Sequence, residues 1–455
     1  MNKTISIIGL LLILLCSCRD EAPKLANPIL PEDVPSQNFI LPQEACAKLK
    51  NAWPTLPKSN PTTRSSENPP MDSIYTVPGN SFIGVIDPNG DIWGHNGEVL
   101  DLENIQFIDT VNTYAYAVTF AESQGFVVVA AKENLPDILF YTENGSYSES
   151  INNTHTGMNV LMDMMDKWVH LQTSADESDP NLYGGYTNPG NWRTTKKQAY
   201  EGIGTKWSQK EPYNIYCPYH YIYQCHYVTG CAATALAQIM AFYQYPASYD
   251  GYNFNWHNTL WNGDNEPVAK LMYFLGLPEN LDMQYKSDYE GGYGIPQGIL
   301  YSEADPQNIP RTFQRFGYKN TGTRKDYNFN LLKKEIDADR PILLLGTDNS
   351  KQEIESHIWV CDKYLIRERE VYNDKGDYKT ERHQYVYCNW GFGGQYDGYA
   401  LSKIFDTSQT TPDFSPKNRN IKTQKSDKTS TSETGVNWSA NYSTNAQMYI
   451  NILPK

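Results

Sequence analysis

A cysteine at the start of a helix is the residue of this chain best suited to act as a nucleophile. The stretch 229–246, TGCAATALAQIMAFYQYP, reads as a turn, a short helix of good helix formers and a stop at Pro246. Cys231 directly follows Gly230, at the N-terminal end of that segment. A helix N-terminus presents unpaired N–H groups and partial positive charge, and both favour a thiolate. A thiol nucleophile needs a base, and the base needs a group that holds its ring. His357 sits in SHIWVCDKY at the start of an expected strand, and Asn389 sits in YVYCNWGFGG at the end of another. An Asn amide carbonyl accepts an imidazole N–H and fixes the ring. Trp390, next in sequence, would cover that hydrogen bond from water and strengthen it.

A second cluster lies just upstream. CPYHYIYQCHY carries Cys217, His220, Cys225 and His226, residue types that ligate zinc. Their spacing matches no zinc pattern, so no metal and no cofactor is expected. Cys217 and Cys225 are left open between a disulfide and simple packing. No Cys-x-x-Cys occurs, which excludes a redox dithiol of that kind.

The order Cys231, His357, Asn389 is that of papain-like peptidases. In detail, GCAATALAQIM followed by Tyr245-Pro246 resembles the nucleophile motif of the streptopain family of cysteine peptidases. SHIWVCDKY is similar to that family's histidine motif, and NWGFGGQYDGY to its asparagine–tryptophan motif. Trp207, Gln209, Pro212 to Asn214, Cys217 and Pro218 resemble its block upstream of the nucleophile. In the first half, YAVTFAESQGFVVVAAKENLPDILFYTENGSY is similar to the family's inhibitory prodomain. The resemblance implies an α+β fold: a papain-like peptidase domain, helical part plus antiparallel sheet, preceded by an α+β prodomain. It also implies a Cys231–His357–Asn389 triad, Gln209 as an oxyanion-hole side chain, Trp390 as a shield, and peptide substrates. Two departures stand out. The histidine motif ends Asp362-Lys363-Tyr364 where Asp-Gly-Tyr is usual, which implies an altered turn. Gly294-Ile295-Pro296-Gln297 replaces the expected Ser-Gly-Ala on the substrate side, so no specificity pocket is inferred.

The elements that must position these residues are partly visible in the pattern. PQEACAKL from Pro42 reads as a helix; TYAYAVTF, GFVVVAAK and ILFYTENG read as strands. Met158, Leu161, Met165, Trp168 and Leu171 recur at helical spacing and form a core-facing stripe. The segment 173–198 has no periodicity and reads as a linker. A helix is expected near Pro267 to Leu277, strands in RPILLLG, HIWVCDKYLI and HQYVYCNWGFGG, and a final strand in AQMYINIL. Residues 406–437, rich in Thr, Ser, Lys and Asn, read as an insertion.

The N-terminus reads as a targeting segment. Lys3 precedes the apolar run 5–15, too short to span a bilayer comfortably. Leu15-Cys16-Ser17-Cys18 resembles a bacterial lipobox, with Cys18 the lipidated first residue of the mature protein. The expected organisation is therefore signal peptide 1–17, tether 18–37, inhibitory prodomain 38–190 and peptidase domain 191–455. The chain would be an extracytoplasmic lipoprotein, at the outer membrane or cell surface, meeting the membrane only through that lipid. With 52 acidic against 38 basic residues and a formal charge of −14, it lacks the basic face nucleic acid requires. The function expected is a zymogen of a cysteine endopeptidase, inhibited by its own prodomain. The rival readings are a non-proteolytic binding or inhibitor lipoprotein that keeps the fold, and an enzyme that transfers the acyl group to an amine.

Overall fold

The computed structural model describes residues 39–58, 67–100, 108–152, 157–174, 186–197, 202–288, 299–348, 355–406 and 446–455. The expectations for the signal peptide, Cys18, the tether, residues 294–297 and nearly all of the 406–437 insertion lie outside the described residues.

The apolar runs of the first half form strands Ala115–Phe120, Phe126–Ala130 and Ile138–Thr142, buried at every position. Strands covered on both faces read as continuous apolar runs rather than alternating ones. Helix Pro42–Ala52 packs on them through Ala45, Cys46 and Leu49. The sheet extends antiparallel through Met71–Val77 and Phe82–Ile86 to Ile92–Trp93. In the other direction Ile138–Thr142 pairs with Gly398–Leu401, Tyr141 opposite Tyr399. The order then runs through Tyr378–Cys388 to Tyr364–Asn373. One sheet thus passes through both halves of the chain.

The segment expected as an aperiodic linker is corrected here. Tyr186–Pro189 and Arg193–Lys197 are strands, both antiparallel to Tyr364–Asn373. They lie at the sheet's edge, where pairing rests on backbone hydrogen bonds and polar side chains suffice, so no apolar period marks them. Trp192, between the two, is buried.

A second sheet has the order Asn320–Asp326, Gln447–Leu453, Ile342–Asp348, Glu355–Cys361. Its two faces sort by parity, as side chains alternate along a strand. Leu343, Leu345, Ile358 and Val360 join the core around helices Cys231–Tyr243 and Glu266–Gly276. Ile342, Leu344, Trp359 and Cys361 join the core that holds Met158, Leu161, Met165 and Trp168 of helix Gly157–Ser174. Those four stripe residues are therefore core, and Leu171 is half-buried. The two sheets are stitched by one antiparallel bridge, Val360 to Asn389, with N–H···O bonds of 3.1 and 2.9 Å. That bridge brings the asparagine–tryptophan segment alongside the His357 strand. Among the described residues no helix is long and apolar enough to cross a membrane.

Candidate active site

Cys231 is the first residue of helix Cys231–Tyr243. Gly230 before it has φ 87°, a conformation that side chains resist, and an added Cβ would come within 2.8 Å of the Met283 sulfur. The glycine is what lets the chain turn into the helix with the thiol at its tip. Ala232 to Ala241 behind it are buried, so the helix is a fixed mount for a half-buried thiol.

His357, on strand Glu355–Cys361, is only 4% exposed and its ring meets the Cys231 thiol. Burial alone disfavours the Cys231 thiolate. The His357 charge, a hydrogen bond from its ring and the N–H groups of Ile358 and Ala232 outweigh it, and the thiol titrates below an ordinary cysteine. Burial also disfavours the imidazolium, yet the Cys231 thiolate and the Trp390 carbonyl hold His357 above an ordinary histidine. Each partner thus stabilises the charged form of the other. His357 Nε2 lies 3.0 Å from the Trp390 carbonyl oxygen. That acceptor requires the proton on Nε2 and leaves Nδ1 for the thiol.

The expected role of Asn389 is corrected by this geometry. Its amide oxygen does not take the imidazole N–H. It accepts from Gln238 Nε2 at 3.1 Å and from Gly391 N–H at 3.2 Å, while its Nδ2 donates to the Thr205 carbonyl at 3.1 Å. Gln238, fully buried on the Cys231 helix, in turn accepts from the Thr205 hydroxyl at 2.9 Å. The bridge to Val360 turns the next carbonyl, that of Trp390, toward the ring. Asn389 reaches His357 through one peptide unit: it holds the N–H of the Trp390–Gly391 peptide whose C=O holds the imidazole.

Trp390 is 1% exposed, with its ring centroid 6.2 Å from that of His357 and 5.0 Å from that of Trp359. Its indole N–H donates to the Tyr396 carbonyl at 2.9 Å and its main-chain N–H to Asp397 Oδ1 at 2.9 Å. Gln209 is tied to the segment just before Cys231 through its main chain, whose carbonyl accepts Thr229 N–H at 3.0 Å.

Sequence reasoning missed the Trp390 carbonyl, Gln238 and Asp397. A main-chain acceptor has no letter in a sequence. The one available signal was the glycine after Trp390: Gly391 has φ 71°, and a Cβ there would come 2.8 Å from Thr234 on the Cys231 helix. In the departing histidine motif, Lys363 lays its ammonium 4.5 Å from the Tyr387 ring centroid, and buried Asp362 accepts the Ile203 N–H.

The other described cysteines are free thiols. Cys217 is buried, and Tyr285 OH points at its sulfur at 3.9 Å; Cys225 pairs with His220 across a short hairpin. Cys361 and Cys388 flank the Val360–Asn389 bridge in the core, where burial pushes both thiols well up.

Residues 207–400 match the Peptidase C10 family. Streptopain of Streptococcus pyogenes is 24% identical over 322 residues, 63% of this chain and 73% of that protein. The thiol protease/hemagglutinin PrtT of Porphyromonas gingivalis is 23% identical over 61% of this chain and 32% of its own length. Among solved structures, a prointerpain A fragment of Prevotella intermedia aligns over 64% of this chain and 89% of its own, with a TM-score of 0.41 and 18% identity. The chain is a cysteine peptidase. The match to the Peptidase C10 family lies in residues 207–400, and streptopain is among the relatives.

Proposed function

We propose that the chain is a lipoprotein zymogen of an endopeptidase in which Cys231 is the nucleophile and His357 the base. The observation that carries this is the buried contact between the helix-start thiol and the imidazole, each raising the charged fraction of the other. The thiolate attacks a peptide carbonyl carbon, and the π electrons move onto the oxygen. That oxyanion is received by the Cys231 N–H and the Gln209 side chain. The imidazolium gives its proton to the leaving nitrogen as the C–N bond breaks. His357 then takes a proton from water, which attacks the thioester, and Cys231 leaves as thiolate. Throughout, the Trp390 carbonyl keeps the other ring N–H and the Trp390 indole keeps water from that bond.

Residues 38–190 act as the intramolecular inhibitor in this reading. Helix Gly157–Ser174 starts against the Trp390 ring, where a Cβ on Gly157 would come within 2.0 Å of it. Lipidation at Cys18 and an extracytoplasmic location rest on the sequence of residues 1–18 alone.

The test uses the full chain, wild type and Cys231→Ala, after maturation, on denatured protein. Cleavage by wild type with new peptide termini, and none by the variant, is expected. Cross-linked products would favour acyl transfer to amines, and absence of both a binding protein. Radiolabelled palmitate in wild type but not in Cys18→Ala checks the anchor.

A further inference from the structure

One buried carboxylate near the site is not used by the chemistry above. Asp397 lies between the turn after Trp390 and strand Gly398–Leu401, and it is 4% exposed. Its Oδ1 accepts the Trp390 N–H at 2.9 Å, and the carbonyl of that same residue accepts His357 Nε2 at 3.0 Å. The backbone that presents the carboxylate has little slack. The Asp397 carbonyl accepts the Thr142 hydroxyl at 2.8 Å, and Gly398 is opposite both Cys388 and Thr142 in the sheet. A Cβ on Gly398 would come 2.3 Å from the Tyr141 carbonyl, so the strand cannot shift there. Trp390 is thereby gripped at its N–H by Asp397, at its indole by Tyr396 and at its following peptide by Asn389.

We propose that Asp397 is a positioning residue for the reaction, fixing the Trp390 main chain and through it the angle at which His357 meets Cys231. The proposal rests on the Cys231–His357 reading above. What it needs is an acceptor oxygen at this place. The groups facing the carboxyl are Asp362, Lys363, Lys206 and the Tyr387 phenol. Burial, and then the Asp362 charge, push Asp397 up to about 7 against the Trp390 N–H and the two lysines. Both protonation states keep an oxygen that accepts, so the amide of Asn serves equally and a methyl group does not.

The experiment compares Asp397→Asn and Asp397→Ala with wild type, all matured from the full chain and counted by active-site titration with an irreversible alkylator. Displacing a catalytic group by a fraction of an ångström to one ångström costs roughly 10- to 100-fold in rate. The Ala variant is expected to lose about that much kcat per titrated site with KM within about twofold. Its Cys231 alkylation profile should move to higher pH, a shift that lost stability alone does not produce. The Asn variant should stay within about threefold of wild type on both measures. A wild-type kcat and alkylation profile in folded Ala variant overturns the proposal, as does an Asn variant as impaired as Ala. If the Ala variant does not fold, the Asn variant decides alone: more than tenfold loss in folded protein overturns it, and retention supports it. A wild-type chain without Cys231-dependent cleavage would instead refute the parent reading.

Discussion

Cys231 and His357 move one another in opposite directions, and the pH profile follows from the signs. Cys231 is lowered, so the thiolate exists below the ordinary thiol value of about 8.5. His357 is raised, so the imidazolium persists above the ordinary value of about 6.5. The pair exists between those two titrations: kcat/KM should rise through the lowered thiol and fall as His357 loses its proton. Iodoacetamide at pH 6 is expected to label Cys231 well before Cys361 or Cys388, whose burial raises them. Equal labelling, mapped by mass spectrometry, would remove the assignment. Asn389→Ala leaves two buried donors, Gly391 N–H and Gln238 Nε2, without their acceptor. The expected loss is about 1–3 kcal/mol of stability per stranded group, with kcat falling and KM holding. At this scale the Cys231–His357 contact was legible, because a thiol after glycine and a histidine opening an apolar strand are side-chain signals. The orienting acceptor was hidden, since it is a carbonyl whose direction depends on a bridge between two strands far apart in sequence.

Between elements, helix Gly157–Ser174 starts in close contact with the Trp390 ring. Gly157 is buried, and a Cβ would sit 2.0 Å from the Trp390 Cε3 atom. Gly157→Ala is expected to cost about 1–3 kcal/mol, the usual toll of overpacking, by pushing the helix off strands Ile342–Asp348 and Glu355–Cys361. A differential scanning calorimeter should record a lower Tm; an unchanged Tm would mean the helix start relaxes without loss. The helices and buried strands were legible because burial imposes a period on their side chains. The two short strands after residue 185 were not, because their pairing with Tyr364–Asn373 is carried by the main chain and by polar side chains such as Arg193 on Glu370. That pairing also bears on maturation. Residues 186–197, at the expected boundary between prodomain and peptidase domain, are held in the sheet, and proteases favour exposed backbone. New N-termini should therefore map outside 186–197.

Across the whole molecule, a buried ion pair ties the first half to the second. Arg367 is fully buried, with NH1 3.5 Å from Asp137, Nε donating to Thr55 at 2.8 Å and its guanidinium 4.6 Å from the Trp192 ring. His383 lies 3.4 Å from Asp137 and 2.9 Å from Glu381. Burial opposes the Asp137 charge, but Arg367 and His383 hold that carboxyl well below the usual range. Burial opposes the His383 charge as well, and Asp137 and Glu381 raise it. Asp137, depressed, contributes stability above its unfolded value near 4 and loses it as pH falls through the folded value. His383, raised, contributes fully below about 6.5 and loses it as pH rises through its folded value. Asp137→Ala strands a buried guanidinium and should cost about 3–5 kcal/mol at neutral pH. The Tm gap to wild type should narrow below about pH 4; a gap that is constant with pH would show that the charge is not what was lost.

The pairing of Ile138–Thr142 with Gly398–Leu401 is extended by the Thr142–Asp397 hydrogen bond, between residues 255 apart in the chain. Its consequence is one of timing. Chains are made from the N-terminus, and pairings of large sequence separation close late and slowly. The first half can complete its own strands while its Ile138–Thr142 edge waits for a partner. The second half, emerging afterwards, meets that edge as a ready template for the Gly398–Leu401 strand, and hence for the turn that carries Asp397 and Trp390. That turn would then take shape against a strand completed earlier in synthesis. Refolding from denaturant tests this, for residues 198–455 should regain native signal more slowly, and aggregate more, than the full chain at equal concentration.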